Sequence, residues 1–391
     1  MADATSQHAN LDVSYSQDAL NGSGVDRLPP NFGSEVGQNR PGLSAAIDLF
    51  EALVARGGWA RIPSVKTLKI GDQHDAIPLL RQRLRASGDL AIGASSSKTF
   101  DSGLEAAVKR FQGRHGLVSD GVVGPETFRE LNVSATQRLA QLKLNDARRR
   151  DLLAKTGEDH IRVNIADQKL TLVQDGRTRW SARVVVGKPS HATPEFSDEM
   201  EYIVLNPYWN IPKSIATREM LPQLRRDPGA LARQNIFVKT GWGTKARRIN
   251  PWLVDWWSVS PSQFPFRLQQ APGRRNALGR LKFMFPNRHN VYIHDTPAKR
   301  LFSRSSRTFS HGCVRVEQPR SLAAMILKQQ GWTKSRIDQA LATGRRKVVR
   351  LREPLPVHIH YRTAWVAKDG LLQFRRDIYG RDRRMLSQNR Y

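Results

Sequence analysis

Cys313 is the single cysteine among 391 residues, so any thiol chemistry in this chain has one possible sulfur. It lies in Ser310-His311-Gly312-Cys313-Val314-Arg315-Val316, and His294 stands nineteen positions upstream in Tyr292-Ile293-His294-Asp295-Thr296-Pro297. A thiol attacks carbonyls as its thiolate, yet a free thiol titrates near pH 8.5. A neighbouring imidazole can take that proton and return it later to a leaving amine. Gly312 lets the chain turn sharply before the cysteine and leaves backbone N–H groups open to bind a developing oxyanion. Arg315 adds positive potential that favours the thiolate. An isolated cysteine is more often a small buried hydrophobe; the glycine, two flanking basic groups and a strand-end histidine argue against that here. His311, two residues from the thiol, is the rival base. A single cysteine also excludes an internal disulfide and a zinc site of several thiolates. His358 and His360 alternate on one strand as a conceivable metal pair, but no third ligand is evident.

These residues need strands to hold them. Val291-Tyr292-Ile293 reads as a strand that ends at His294. Ile161, Val163 and Ile165 alternate, as do Leu170 with Leu172 and Trp180, Ala182, Val184 and Val186, with Asp175-Gly176 as a hairpin turn. The pattern predicts an antiparallel sheet, with further strands at Tyr202–Leu205, Lys347–Leu351 and Val357–Tyr361, a helix at Gln318–Lys328 and a second hairpin about Asp369-Gly370. Upstream, Ile47, Phe50, Leu53 and Val54 mark one helix face that Gly57-Gly58 ends. Between Leu68 and Asn132 the pattern predicts three short helices. Ser102 and Glu105 form a candidate capping box for the second, and Pro125 takes a first helical position in the third.

Ser214 to about Arg280 mixes helical patches with Trp242, Trp252, Trp256 and Trp257. A segment of that length between strands predicts an insertion. It reads either as a satellite core or as a cap that excludes water from the site. Its arginine pairs (Arg225-Arg226, Arg247-Arg248, Arg274-Arg275) are either solvated or available to carboxylates.

The Ser-His-Gly-Cys-Val-Arg-Val run with His294 upstream resembles the active-site signature of YkuD-type L,D-transpeptidases. The Leu68–Asn132 helices resemble a type 1 peptidoglycan-binding module through Asp120-Gly121, Val123-Gly124 and Thr127-Phe128. Asn206–Pro212 and Val291–Ala298 resemble the larger, lidded subclass of Gram-negative bacteria. The resemblance implies an α+β multidomain chain: a mostly β-sheet catalytic domain with a helical lid insertion, plus a small three-helix binding module. The expected division is a disordered tail over 1–40, a helical scaffold segment over 41–65, the binding module over 66–134, a linker helix over 135–157 and the catalytic domain over 158–391, with the lid at about 214–280.

It further implies Cys313 as nucleophile and His294 as general base, supported by Gly312, His311, Ser310, Asp295 and Arg315. Tyr292, Trp209 and Asn210 would contact substrate. Many members follow the base with Gly and then Ser or Thr. Asp295-Thr296 stand there instead, so the imidazole is oriented by the Asp295 carbonyl, by its carboxylate or by neither. The implied reaction joins two diaminopimelate residues through a cysteine thioester and needs no metal or cofactor. Hydrolysis by water, or wall binding without catalysis, are the alternatives. Implied partners are peptidoglycan stem peptides and glycan strands, carbapenem-type inhibitors and an outer-membrane protein acceptor.

Composition is consistent with this reading. Apolar residues make up 39% and charged residues 25%, which excludes a wholly disordered or fibrous chain. Lysines and arginines number 63 against 35 acidic residues, a net charge of +28 that calls for an extended polyanion. Nucleic acid would satisfy the charge, but no motif that reads it is present. No apolar run is long enough to span a bilayer, and residues 1–40 lack the basic start and apolar middle of an export signal. A periplasmic location is expected from the resemblance alone.

Overall fold

The computed structural model describes residues 42–63, 65–91, 97–241 and 246–388. The expected disordered tail lies outside the described residues. Chain contacts divide the molecule into two compact units, one of residues 1–143 with 366–373, the other of 144–365 with 374–391.

The first unit is helical. Helix α1 (Gly42–Ala55) ends where Gly57 and Gly58 take positive φ. Helices α2 (Ala76–Ala86), α3 (Ser102–Arg114) and α4 (Pro125–Leu131) surround a core of Ile77, Leu80, Leu84, Leu104, Val108, Phe111 and Phe128. The capping box expected at Ser102 does not form, because the cap lies one residue earlier and Leu104 rather than Glu105 then stands at the third helical position. Asp101 is the N-cap, its Oδ1 accepting from the Leu104 N–H at 2.8 Å, and Ser102 is the first helical residue. Asp101 is preferred because its second oxygen also accepts from the buried Arg81 guanidinium at 2.7 Å. Helix α5 (Ala135–Leu153) follows, and the division between the units falls within it.

The second unit is built on a nine-stranded sheet. Its strands are β1 (His160–Asn164), β2 (Lys169–Gln174), β3 (Arg177–Gly187), β4 (Phe196–Leu205), β9 (Leu281–Met284), β10 (Ile293–His294), β11 (Thr308–Ser310), β12 (Val314–Val316) and β13 (Lys347–His360). The order is β11-β3-β12-β10-β9-β4-β13-β1-β2, and β2 also pairs with β3, so the sheet returns on itself. Asp175 and Gly176, both at positive φ, form the β2–β3 turn.

Two sequence expectations change here. The sheet is mixed rather than antiparallel, because β1–β13, β10–β12 and β11–β3 run parallel. Chain between the partners supplies each crossover, such as the helices Pro319–Ile326 and Lys334–Ala342 that lead into β13. The two strands expected at 347–351 and 357–361 are one strand. Pro354 and Pro356 interrupt the sequence pattern, and the structure absorbs them as a shift of register between Arg350 and Leu355.

The insertion is also corrected: it is not mostly helical. Three consecutive helical segments (Lys213–Ile215, Ala216–Met220, Leu221–Arg226) run without a break as one helix over 213–226 and accompany a four-stranded sheet of β5 (Trp209–Asn210), β6 (Ile236–Thr240), β7 (Arg248–Ile249) and β8 (Phe266–Gln270), ordered β5-β8-β6-β7. Its own core includes Leu221, Leu224, Ile236, Val238, Trp256 and Leu268. Of the tryptophans read from sequence, Trp256 is buried in that core, Trp252 and Trp257 are exposed, and Trp242 lies outside the described residues.

Candidate active site

The strand register sets the site. Ile293 pairs with Val314 on β12 and with Phe283 on β9, and all three enter the main core. Side chains alternate along a strand, so the flanking residues stand on the opposite face. There His294 pairs with Arg315 on one side and Lys282 on the other. One step before, the Val314 N–H donates to the Tyr292 carbonyl at 3.1 Å, which brings Tyr292 beside Cys313. Lys282, Tyr292, His294, Cys313 and Arg315 therefore share the face turned away from the core.

Cys313 follows a turn that only glycine adopts easily. Gly312 has φ +110, and a Cβ there would meet nothing closer than 3.9 Å, so conformation rather than space selects the residue. The Gly312 N–H is not open, as the sequence suggested: it donates to Ser310 Oγ at 3.1 Å. Ser310 Oγ in turn donates to the Cys313 carbonyl. The N–H groups of His311 and Cys313 remain as candidate oxyanion donors of the turn. Thr193, fully buried, braces the same turn by donating to the Gly312 carbonyl at 2.8 Å and accepting from the Gly187 N–H at 2.9 Å. Sequence offered no signal for Thr193, because it acts across more than a hundred residues.

The three possibilities for orienting His294 reduce to one. Its Nδ1 donates to the Asp295 backbone carbonyl, which leaves Nε2 to carry the lone pair. The Asp295 carboxylate is committed elsewhere. It accepts from the Arg280 N–H at 2.8 Å, the Thr296 N–H at 2.7 Å and Lys299 Nζ. It also lies against Gly279 (φ +62), where a Cβ would come within 2.4 Å of it.

Electrostatics keep the pair neutral at rest. Burial, then the cations Arg315 and Lys282, pull His294 down to about 3 against the Asp295 and Leu278 carbonyls. Burial pushes the Cys313 thiol up, opposed by the Tyr292 N–H and hydroxyl, Lys282 and Arg315. Lys282, which the sequence reading missed, is itself lowered to about 8, first by burial.

The other expected residues fall in two groups. His311 turns toward the insertion: its Nε2 meets Glu219 Oε1 at 2.7 Å, and its ring packs edge-on against His191 at 4.8 Å. Trp209 lies close enough to the Tyr292 hydroxyl to favour its ionised form, against burial and Cys313, which raise it. Asn210 is spent within the insertion, its Oδ1 accepting from Arg267 at 2.5 Å and Gln269 at 2.7 Å. Asn206, in the motif before it, is a buried node at the end of β4 that donates to the Leu341 and Arg345 carbonyls at 3.1 Å each. Arg225 likewise serves the insertion, bonding the Trp256 and Val259 carbonyls. His358 Nδ1 faces Ser197 Oγ at 2.8 Å. No group of three or more metal-ligating side chains converges among the described residues.

Residues 158–349 match the YkuD family, the L,D-transpeptidase catalytic domain. The chain carries a YkuD-family catalytic domain. Residues 73–131 match the family described as "Putative peptidoglycan binding domain". A Haemophilus influenzae protein named "Putative L,D-transpeptidase" is 36% identical over 259 residues, covering 66% of this chain and 50% of that protein. The chain thus spans about half the length of this relative. Among solved structures, an L,D-transpeptidase from Stackebrandtia nassauensis matches at 16% identity and a TM-score of 0.26, covering 75% of this chain and 94% of that one. One from Xylanimonas cellulosilytica matches at 15% and 0.23, covering 76% and 99%. Scores this low add nothing to the YkuD assignment, which rests on the family match and on the sequence relative. No helix among the described residues is long and apolar enough to cross a membrane.

Proposed function

We propose that the chain is a peptidoglycan L,D-transpeptidase with Cys313 as nucleophile and His294 as general base. The observation that carries this is the shared outer face of β10 and β12, where strand register brings the two side chains to one side of the sheet. The thiol adds to the carbonyl of the L-centre of diaminopimelate in a tetrapeptide stem, and its proton passes to His294 Nε2. The tetrahedral intermediate collapses, the bond to D-alanine breaks, and the leaving amine takes that proton. The amine of a second stem then attacks the thioester. It forms the diaminopimelate–diaminopimelate amide and restores the thiol.

Because His294 and Cys313 both resist charge, proton transfer accompanies the attack rather than preceding it. The N–H groups of His311 and Cys313 receive the oxyanion. The insertion, tied to the catalytic turn through Glu219 and His311, shields the thioester from water and favours the amine. The peptidoglycan-binding module holds the enzyme on glycan strands in the periplasm. Carbapenems acylate the same sulfur through their strained ring carbonyl.

Mass spectrometry of muropeptides after incubation with the protein tests this reading. A cross-linked dimer lacking one D-alanine is expected. Tripeptide stems without dimer would establish hydrolysis instead, and no change at all would leave only a wall-binding protein.

A further inference from the structure

We propose that Lys282 is a positioning residue whose ammonium supplies the counter-charge for the Cys313 thiolate. The inference deepens the nucleophile's role and rests on that reading of Cys313. Lys282 sits on β9 directly opposite His294, on the site face. Its Nζ stands 3.8 Å from the centre of the Tyr292 ring, a cation–π contact that fixes a long side chain against the residue the strand pairing sets beside Cys313. Among the described residues no ion pair to a carboxylate is formed by Lys282 or by Arg315 on the far side of His294, and Cys313 is the one group that favours the charge of either. A cation held half-buried without a counter-ion is costly unless an anion forms beside it.

The groups that bear on the sulfur are Tyr292, one residue before β10, Lys282 on β9 and Arg315 on β12, with the Asn290 carbonyl 3.9 Å away; His294 on β10 shares their face, and Arg346 bears on Lys282 from beyond. His294 is neutral and Tyr292 is held protonated, burial and then Cys313 raising it. Lys282 and Arg315 are thus the charges that the thiolate feels. Burial lowers Lys282 to about 8, which still leaves it protonated at neutral pH. Among the described residues, the Cys313 sulfur, once ionised, is the group that supports that charge.

The test is the rate of Cys313 alkylation by iodoacetamide at about pH 7 in the full chain, without any stem peptide, where Lys282 still carries its charge. In Lys282→Met the rate should fall about tenfold, the loss of thiolate that a thiol pKa raised by about one unit produces. Lys282→Arg should restore most of the rate. Lys282→Gln serves as the neutral variant if Met fails to fold, with thermal unfolding as the check on each. An unchanged rate in the neutral variant, or an equal loss in Arg and Met, overturns the proposal. The measurement is independent of the reaction catalysed: the expected loss in Lys282→Met with no muropeptide product from the unsubstituted chain would sink the transpeptidase reading and leave this one standing.

Discussion

With His294 lowered to about 3 and Cys313 raised by burial, the free enzyme rests as imidazole and thiol rather than as an ion pair. Alkylation of Cys313 should therefore climb steadily from pH 6 to beyond 9, without a shoulder near 6.5 where a free imidazole titrates. High reactivity that is flat below pH 7 would mean a preformed thiolate–imidazolium pair. Carbapenem acylation separates the two histidines. Intact mass should show one adduct per chain, absent in Cys313→Ala. His294→Ala should acylate about a hundredfold more slowly or worse, the usual worth of a general base. His311→Ala should lose much less, since its imidazole is engaged by Glu219 at 2.7 Å. The opposite ranking would transfer the base to His311.

The elements contribute position. Glu219 joins the helical turns of the insertion to the Ser310–Cys313 turn through His311. Both side chains are partly exposed, so the pair is worth about 0–1 kcal/mol to stability; its value lies in where it holds the insertion. Glu219→Ala should leave the melting temperature nearly unchanged and raise the ratio of tripeptide to cross-linked dimer in muropeptide analysis. An unchanged ratio would remove the insertion from the partition between amine and water. At this scale the sequence was readable where a residue's role is local. Cys313, His294 and Gly312 lie in short runs whose order alone signals a turn and a strand end. Asp175-Gly176 announces its hairpin, and Pro125 its helix. Lys282 was invisible because its meaning comes from being opposite His294 on another strand. The insertion's sheet escaped because Trp209–Asn210 and Arg248–Ile249 are two residues long, too short to show a period of two. Two prolines hid the continuity of β13, and the choice of Asp101 over Ser102 as cap depended on a distant arginine.

Across the whole chain, acid should act through buried histidines before it acts through carboxylates. Burial depresses His358 to about 4, and His115 and His360 also lie well below their ordinary value. With the folded value lowered, the unfolded chain takes up protons first as pH falls. Stability from this source is complete above about 6.5, the unfolded value, and erodes as pH falls toward 4. Urea midpoints should therefore drop between pH 7 and 5, a window in which ordinary carboxylates have barely begun to titrate. His358→Asn should flatten that slope. An equal slope in the variant would assign the loss elsewhere.

The central claim is an acyl-enzyme on Cys313, and intact-protein mass spectrometry reads it most directly. Incubated with a disaccharide-tetrapeptide donor and quenched, the protein should gain the mass of the stem less D-alanine, located on Cys313. The added mass should vanish on addition of an acceptor stem as cross-linked dimer appears. Dimer formed by Cys313→Ala, or turnover of the wild type with Cys313 never acylated, would contradict the account.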